Sequence, residues 1–549
     1  MLVAVIKKPI IQILILILLL CLECCLAQGP TIQWQKTYGG SGSDGLISAI
    51  KTNDGGYLLG GFSSSGIGGE KSQPNLGLED YWAVKIDANG NKMWDKTYGG
   101  NLTDYLQTVI QTSDGGYMLA GYTQSAMGGD ITDTTYGYFD TWIIKTDASG
   151  NKLWDRTYGG SGNKTDGIVS MKQASDGGYL MWIVSGGGIN NIKTDSSRGA
   201  SDYWLVKINA IGNILWQKTI GAPGIDHILS VDQTLDGGYI LGGFSWSGTG
   251  GDKTLPSYGG FDYWVVKLDS LRNIKWQKEF GGSSFDHLMS IKQLPDSSYM
   301  NGGFSQSGAT GNKTEPSRGM SDYWMIHTDK NGNAIWQKAF GGNMADECRG
   351  GLIPTLDVGY LFVGFSQSGI SSEKTEASRG MDDIWLVKTD ANGNKLWDRT
   401  FGGDSTEYLY SSLQASDGGF LVTGWSKSGI AGDKTDNSRG GFDFWIIKTT
   451  ADPIGIYEYS GSPNLVKVFP NPFTDSATML VEAPFTNGNS YSLVLNDELG
   501  KVVRTINSIK QKETTINRDD LKSGIYLYSL YDSSDLGGKR VGYGKIIIK

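Results

Sequence analysis

Seven acidic residues, Asp44, Asp104, Asp166, Asp226, Asp286, Asp346 and Glu407, recur at near-equal spacing along the 549-residue chain. Gathered into a ring around one mouth, such carboxylates would attract a cation or the hydroxyls of a glycan. Alternatively, each caps its own loop, because a short acidic side chain accepts local backbone N–H bonds. Any two of them at the right separation would also serve a glycosidase. Other chemistry is scarce. Three histidines, His227, His287 and His327, leave little for general-base or metal work, and His227 and His287 hold equivalent positions directly after Asp226 and Asp286. No catalytic motif is present, and no residue is assigned to catalysis or to a resident metal.

Two further acidic series read as turns. Asp54, Asp114, Asp176, Asp236, Asp296, Asp357 and Asp417 sit in S-D-G-G-like hairpin turns. Asp87, Asp147, Asp269, Asp329 and Asp390 open turns such as D-x-N-G-N, which admit calcium as the one conceivable cofactor, although the later bidentate Glu of an EF-hand is missing.

What positions all of these is a repeat. Trp34, Trp94, Trp154, Trp216, Trp276, Trp336 and Trp397 each open a W-x-[KR] stretch, and Trp82, Trp142, Trp204, Trp264, Trp324, Trp385 and Trp445 each sit in D-x-W, both series stepping by 60 to 62 residues. A fixed period of that size marks stacked supersecondary units that bury their apolar faces only against neighbours. Within one unit, Thr108–Thr112, Tyr117–Tyr122, Asp140–Thr146 and Lys152–Tyr158 read as four strands joined by tight Gly-containing turns. The array opens on a lone fourth strand at Trp34 and ends on a third strand at Trp445, so the two ends complete one unit together. The expected fold is all-β, a seven-bladed β-propeller closed by an N-terminal clasp strand, over residues 28–450.

These repeats resemble those of β-propellers. Asp87-Ala88-Asn89-Gly90-Asn91-Lys92-Met93-Trp94 is similar to the tryptophan-docking motif of quinoprotein-type propellers, one residue shorter between Asp and Gly, and the resemblance implies that the Trp wedges between blades. Topology puts the short hairpins on one face and the long loops on the other. On the loop face, the residues that vary between blades, Trp246, Tyr258, Arg198, Arg318, Arg379 and Arg439, are candidates for ligand specificity.

The formal charge of −9 offers no basic face for nucleic acid. Residues 1–27 read as a secretory signal: Lys7 and Lys8, an apolar run from Ile13 to Leu22, and Cys25-Leu26-Ala27 before Gln28. Three of the four cysteines lie in it, leaving Cys348, which reads as a buried or half-buried thiol rather than a nucleophile. Residues 451–464 read as a linker. From 465 to 549 the chain resembles the type A C-terminal sorting domain of the type IX secretion system of Bacteroidetes. The matching residues are Val468-Phe469-Pro470-Asn471-Pro472-Phe473, Asp497-Glu498-Leu499-Gly500-Lys501, Leu521-Lys522-Ser523-Gly524-Ile525-Tyr526 and Gly544-Lys545-Ile546-Ile547-Ile548-Lys549. That resemblance implies a small β-sandwich recognised by the secretion machinery, with Pro470, Asn471, Pro472, Gly500, Gly524, Tyr526 and Lys545 as its motif residues. It also implies export through the periplasm to the outer surface or beyond. The functional expectation is a monomeric, secreted or surface-held module that binds a glycan or a protein. The alternatives are a propeller enzyme, whether hydrolase, lyase or quinoprotein-like oxidoreductase, and a structural or adhesion protein.

Overall fold

The computed structural model divides into two compact units, one ending at Pro453 and the other running from Ile454 to Lys549. It describes residues 29–452 except 175, 356, 358 and 416, and in the second unit 466–481, 490–496, 502–532 and 539–549. The expected signal peptide, nearly all of the expected linker and the motif residue Gly500 lie outside the described residues.

Seven four-stranded antiparallel sheets build the first unit. Blade 1 consists of Asp44–Lys51, Tyr57–Ser63, Asp80–Ile86 and Lys92–Tyr98, and blades 2 to 6 repeat it over residues 104–158, 166–220, 226–280, 286–340 and 346–401. Blade 7 takes Glu407–Gln414, Phe420–Ser426 and Asp443–Thr449 from the end of the array and Ile32–Tyr38 from its start. The clasp pairs antiparallel, from Ile32 opposite Thr449 to Tyr38 opposite Phe444. First strands touch first strands from blade to blade, and that of blade 7 touches that of blade 1, so they form the inner wall of a closed ring. Such closure leaves no long sheet edge open to pairing.

The two tryptophan series do different work. The D-x-W series is fully buried, and each of Trp142, Trp264, Trp324 and Trp385 carries a Tyr of the preceding blade on it, with ring centroids 4.7–5.1 Å apart. The same tyrosines donate across the interface, as from Tyr81 Oη to the Trp142 carbonyl at 3.0 Å. The other series is half-buried except for Trp397, and its rings cover a glycine of the next blade: a Cβ on Gly90 would lie 2.9 Å from Trp34. In blade 4 that glycine is replaced by Arg272, which keeps the left-handed backbone (φ 71°) and lays its guanidinium over Trp216 at 4.6 Å. At the seam no hairpin exists to offer a glycine. Gly29 lies under Trp397 instead, Trp397 Nε1 donates to Asp452 at 3.0 Å, and Thr450 N donates to the Thr31 carbonyl at 2.8 Å. Two chain ends thus rebuild the missing turn.

Each first strand carries a register shift within one to five residues of its opening acid, a β-bulge. In blade 6 the shift spans Glu347 to Gly351, one residue wider than elsewhere, and this accounts for a step of 61 rather than 60 from Trp336 to Trp397. Cys348 lies inside the wide bulge, fully buried, its Sγ 3.3 Å from the Gly351 carbonyl, and burial pushes its thiol up to about 12.

In the second unit, Val466–Phe469, Ser476–Val481 and Glu513–Asn517 form a three-stranded sheet, and Val502–Ile509, Tyr491–Asn496, Gly524–Asp532 and Lys539–Ile548 a four-stranded one. Val466, Phe473, Met479, Leu493, Leu530 and Ile546 belong to one core. Between Pro470 and Pro472, Asn471 ties the last strand down: its Nδ2 donates to the Lys545 carbonyl at 2.7 Å and its Oδ1 accepts from Ile547 N at 2.8 Å. Tyr526 Oη donates to the Lys522 carbonyl at 2.9 Å.

Trp142→Ala, which empties a fully buried inter-blade site, is expected to cost about 3–5 kcal/mol, and Trp94→Ala, at a half-buried ring, clearly less. Urea denaturation midpoints of the two variants check the order; equal losses would place the two series on the same footing.

Candidate functional site

All seven acids that open the first strands are fully buried. Each carboxylate accepts the backbone N–H of a residue four to six positions earlier and a serine hydroxyl from the end of the second strand or the loop after it in its own blade. In blade 1, Gly40 N lies 2.7 Å and Ser65 Oγ 2.8 Å from Asp44. The pattern repeats at Asp104, Asp166, Asp226, Asp286, Asp346 and Glu407. These residues therefore cap loops, the second of the two roles open in the sequence, and as an accessible ring for ligands they are corrected: burial withholds their oxygens from any solute.

Behind them lies a second ring that the sequence reading did not single out. Asp80, Asp140, Asp202, Asp262, Asp322, Asp383 and Asp443, the Asp of each D-x-W, are buried too. Each approaches the opening acid of the next blade across a glycine: a Cβ on Gly99 would lie 2.1 Å from Asp80 Oδ1 and 3.0 Å from Asp104 Oδ2. In six blades the loop sends a buried lysine towards these carboxylates, Lys71, Lys193, Lys253, Lys313, Lys374 and Lys434, while blade 2 has Ile131 there. Burial first, and then the neighbouring acid, pushes Asp140 up to about 6; burial dominates at Asp262 and Asp443 as well, which reach about 7.

The variable arginines are all engaged in ion pairs. Arg198 Nε meets Asp252 at 2.9 Å, Arg318 NH2 meets Glu373 at 3.4 Å, Arg379 NH1 meets Asp433 at 3.1 Å, and Arg439 NH2 meets Glu70 at 3.2 Å. Every one of these pairs spans two blades, so Arg318, Arg379 and Arg439 brace neighbouring blades, each pair worth about 0–1 kcal/mol at such exposure. The turn acids stay in their turns. Asp87 Oδ1 accepts from Asn89 N and Asn91 N, both at 2.8 Å, and Oδ2 accepts from Asn91 Nδ2 at 2.9 Å, which occupies the oxygens a calcium ion would want. The first-hairpin acids pair with a third-strand lysine, as Asp114 with Lys145 at 3.0 Å. His327 stands where the other blades have that lysine, and its Nε2 lies 2.9 Å from Ser298 Oγ.

What remains on the inner wall at the loop-bearing end is aromatic. Starting in blade 4, His227 lies 5.1 Å from Phe244, which stacks on His287 at 4.3 Å, and His287 lies 4.9 Å from Phe304. Arg349 bridges Phe304 and Phe365, 5.6 Å from each ring. The path continues through Tyr408 to Trp425 at 5.5 Å, from Trp425 to Phe62 at 5.6 Å, to Tyr105 at 4.6 Å, to Tyr122 at 5.4 Å and to Phe139 at 5.1 Å. Among the described residues this collar is broken at blade 3, where Gly167, Val184 and Ser201 occupy the matching positions. Trp246, 57% exposed, extends it outwards through Phe261 at 5.4 Å. The Nε1 of Trp425 and the Nε2 of His287 find no partner among the described residues. Burial, with Arg349 and His227 adding to it, pushes His287 down to about 4, so its imidazole is neutral at pH 7.

Beside the collar, the bulged residues of the seven first strands are Ile47, Gln107, Val169, Leu229, Met289, Arg349 and Tyr410. A bulge re-aims the side chain it releases. Arg349 is the one charged member of this set, its side chain is 43% exposed, and its Nε donates to Glu347 at 2.7 Å. The signal for it was in the sequence: a lone charge and an extra residue at a position where six repeats are uncharged.

Residues 467–549 match the family of secretion system C-terminal sorting domains. The chain accordingly carries a type IX sorting domain, engages the type IX secretion machinery and is exported to the cell surface or secreted. No curated protein matches the sequence. Among solved structures, the extracellular domain of a hybrid two-component system of B. thetaiotaomicron aligns over 94% of this chain, which spans 57% of that one, at 11% identity and a TM-score of 0.38. An apocarotenoid oxygenase of Synechocystis aligns over 79% of this chain and 96% of its own length, at 11% identity and a TM-score of 0.34. Both likenesses are weak, and neither bears on what the chain does.

The buried acids give the fold a pH dependence. An Asp raised from 3.8 to about 6 binds its proton more tightly when folded, so its contribution is full below pH 4 and is lost as pH rises through 6. Asp140 tests this without a nearby buried lysine. Asp140→Asn is expected to raise the melting temperature relative to the parent by an amount that grows from pH 5 to pH 8, read by scanning calorimetry; an offset independent of pH would contradict it.

Proposed function

We propose that this is a surface-displayed or secreted binding module whose ligand site is the aromatic collar at the loop-bearing mouth of the ring, and that the ligand is a glycan. The observation that carries the reading is the run of aromatic contacts from blade 4 around to blade 2, bridged by Arg349 between Phe304 and Phe365, with the amphipathic rings of Tyr105, Tyr122, Tyr408 and Trp425 among its members. Sugars combine an apolar C–H face with a rim of hydroxyls, and amphipathic aromatic side chains match both at once. Export to the outer surface brings such a mouth to extracellular polysaccharide.

The full-length protein is to be titrated by calorimetry against a panel of neutral and acidic polysaccharides. Saturable binding without product release is expected, and Trp425→Ala should weaken it about tenfold or more, as loss of a central aromatic anchor does. Asp104→Asn should leave the affinity unchanged while lowering the melting temperature. Silence across the panel, or an unaffected Trp425→Ala, would reject the glycan reading; release of product would make the protein an enzyme.

A further inference from the structure

We infer that the mouth selects a sugar carrying a carboxylate, and that Arg349 is the residue that reads it. The inference deepens the collar reading and rests on it. Six of the seven bulged residues on the inner wall, Ile47, Gln107, Val169, Leu229, Met289 and Tyr410, are uncharged, so Arg349 supplies the single fixed charge of that set. It is also placed by a specific device. The bulge of blade 6 is one residue wider than the other six; Arg349 lies within it, outside the ladder, and Cys348 next to it is fully buried.

The guanidinium is held but not used up. Phe304 and Phe365 flank it at 5.6 Å on either side, and Glu347 takes only its Nε, at 2.7 Å. Its two terminal amino groups make no hydrogen bond among the described residues. Those two groups form the fork that pairs with a carboxylate through parallel bonds. Aromatic planes on both sides then favour a flat, ring-shaped bearer of the carboxylate. An acidic peptide would want cations repeated along an extended strand, and the bulged residues of this wall offer one. Glu347, held in turn by Ser321 Oγ at 3.4 Å, orients the fork and opposes a second negative charge, so it sets a limit of one carboxylate per site.

The test uses the full-length protein with polygalacturonate and, as a matched neutral polymer, the same backbone fully methyl-esterified. Tighter binding of the acid form is expected. Arg349→Gln should lower affinity for it about tenfold and abolish the preference, and Arg349→Lys, which keeps the charge without the fork, should fall between. Glu347→Gln should strengthen binding of the acid form. Unchanged melting temperatures show that the substitutions at exposed Arg349 and half-buried Glu347 leave the fold intact. If both polymers bind equally, or if Arg349→Gln keeps the preference, the inference is overturned while the collar reading survives, provided Trp425→Ala still loses binding. If neither polymer binds but another neutral glycan does, the inference is likewise overturned. If no glycan binds, the collar reading falls with it.

Discussion

A four-stranded sheet of seven- to nine-residue strands has two faces and cannot bury either alone. The propeller rests on the contact that solves this, a tryptophan buried in each blade with an aromatic or aliphatic residue of the preceding blade on it. Tyr81 on Trp142 states the contact in full, with ring packing at 4.7 Å and a hydroxyl donated to the backbone of the next blade. Because the contact is between neighbours, it leaves one blade at each end of an open array unsatisfied. Bringing Trp82 against Phe444, at 4.7 Å, removes both unsatisfied ends at once, and the clasp strand follows from that need.

The inner framework is polar where a small domain would be apolar. Pairs of carboxylates from adjacent blades face each other over a glycine, and six buried lysines compensate them. Burying charges without partners is expensive, and partnered burial is tolerated when hydrogen bonds are complete. The serine hydroxyls and backbone amides of the long loops bond one oxygen of most of these carboxylates, while the other finds no partner among the described residues, as at Asp44 Oδ1 and Asp80 Oδ1, and the bonds that are made fix the loops against the strands.

The fold was legible because its determinants are periodic. D-x-W, W-x-[KR], the two turn chemistries and the offset of one strand between repeat and blade all recur in the sequence, and together they imply both the ring and its closure. The site was less legible, because spacing reports position and not exposure. Asp44 opens a strand at the loop-bearing end and Arg318 stands in a long loop, yet the first is fully buried and the second is paired with Glu373. The collar escaped notice for the opposite reason: Phe62, Tyr122, Phe244 and Trp425 read as ordinary strand residues, and only the packing of neighbouring blades sets Phe62 next to Tyr105 and Phe244 next to His287, and only ring closure sets Trp425 next to Phe62. Trp246 was legible because it is a large apolar side chain in a polar loop. Arg349 was legible in principle, as a break in the period.

The antiparallel clasp also has a mechanical consequence. Ile32 pairs with Thr449, so the chain enters and leaves the ring at the same end of one two-strand ladder. A force that draws the two ends apart therefore meets the hydrogen bonds of that ladder one after another, as in opening a zip, rather than all together as in shear. The ring is consequently weakest against tension between its own termini. A protein displayed on a cell and tethered through its C-terminal side alone never loads the seam in that direction.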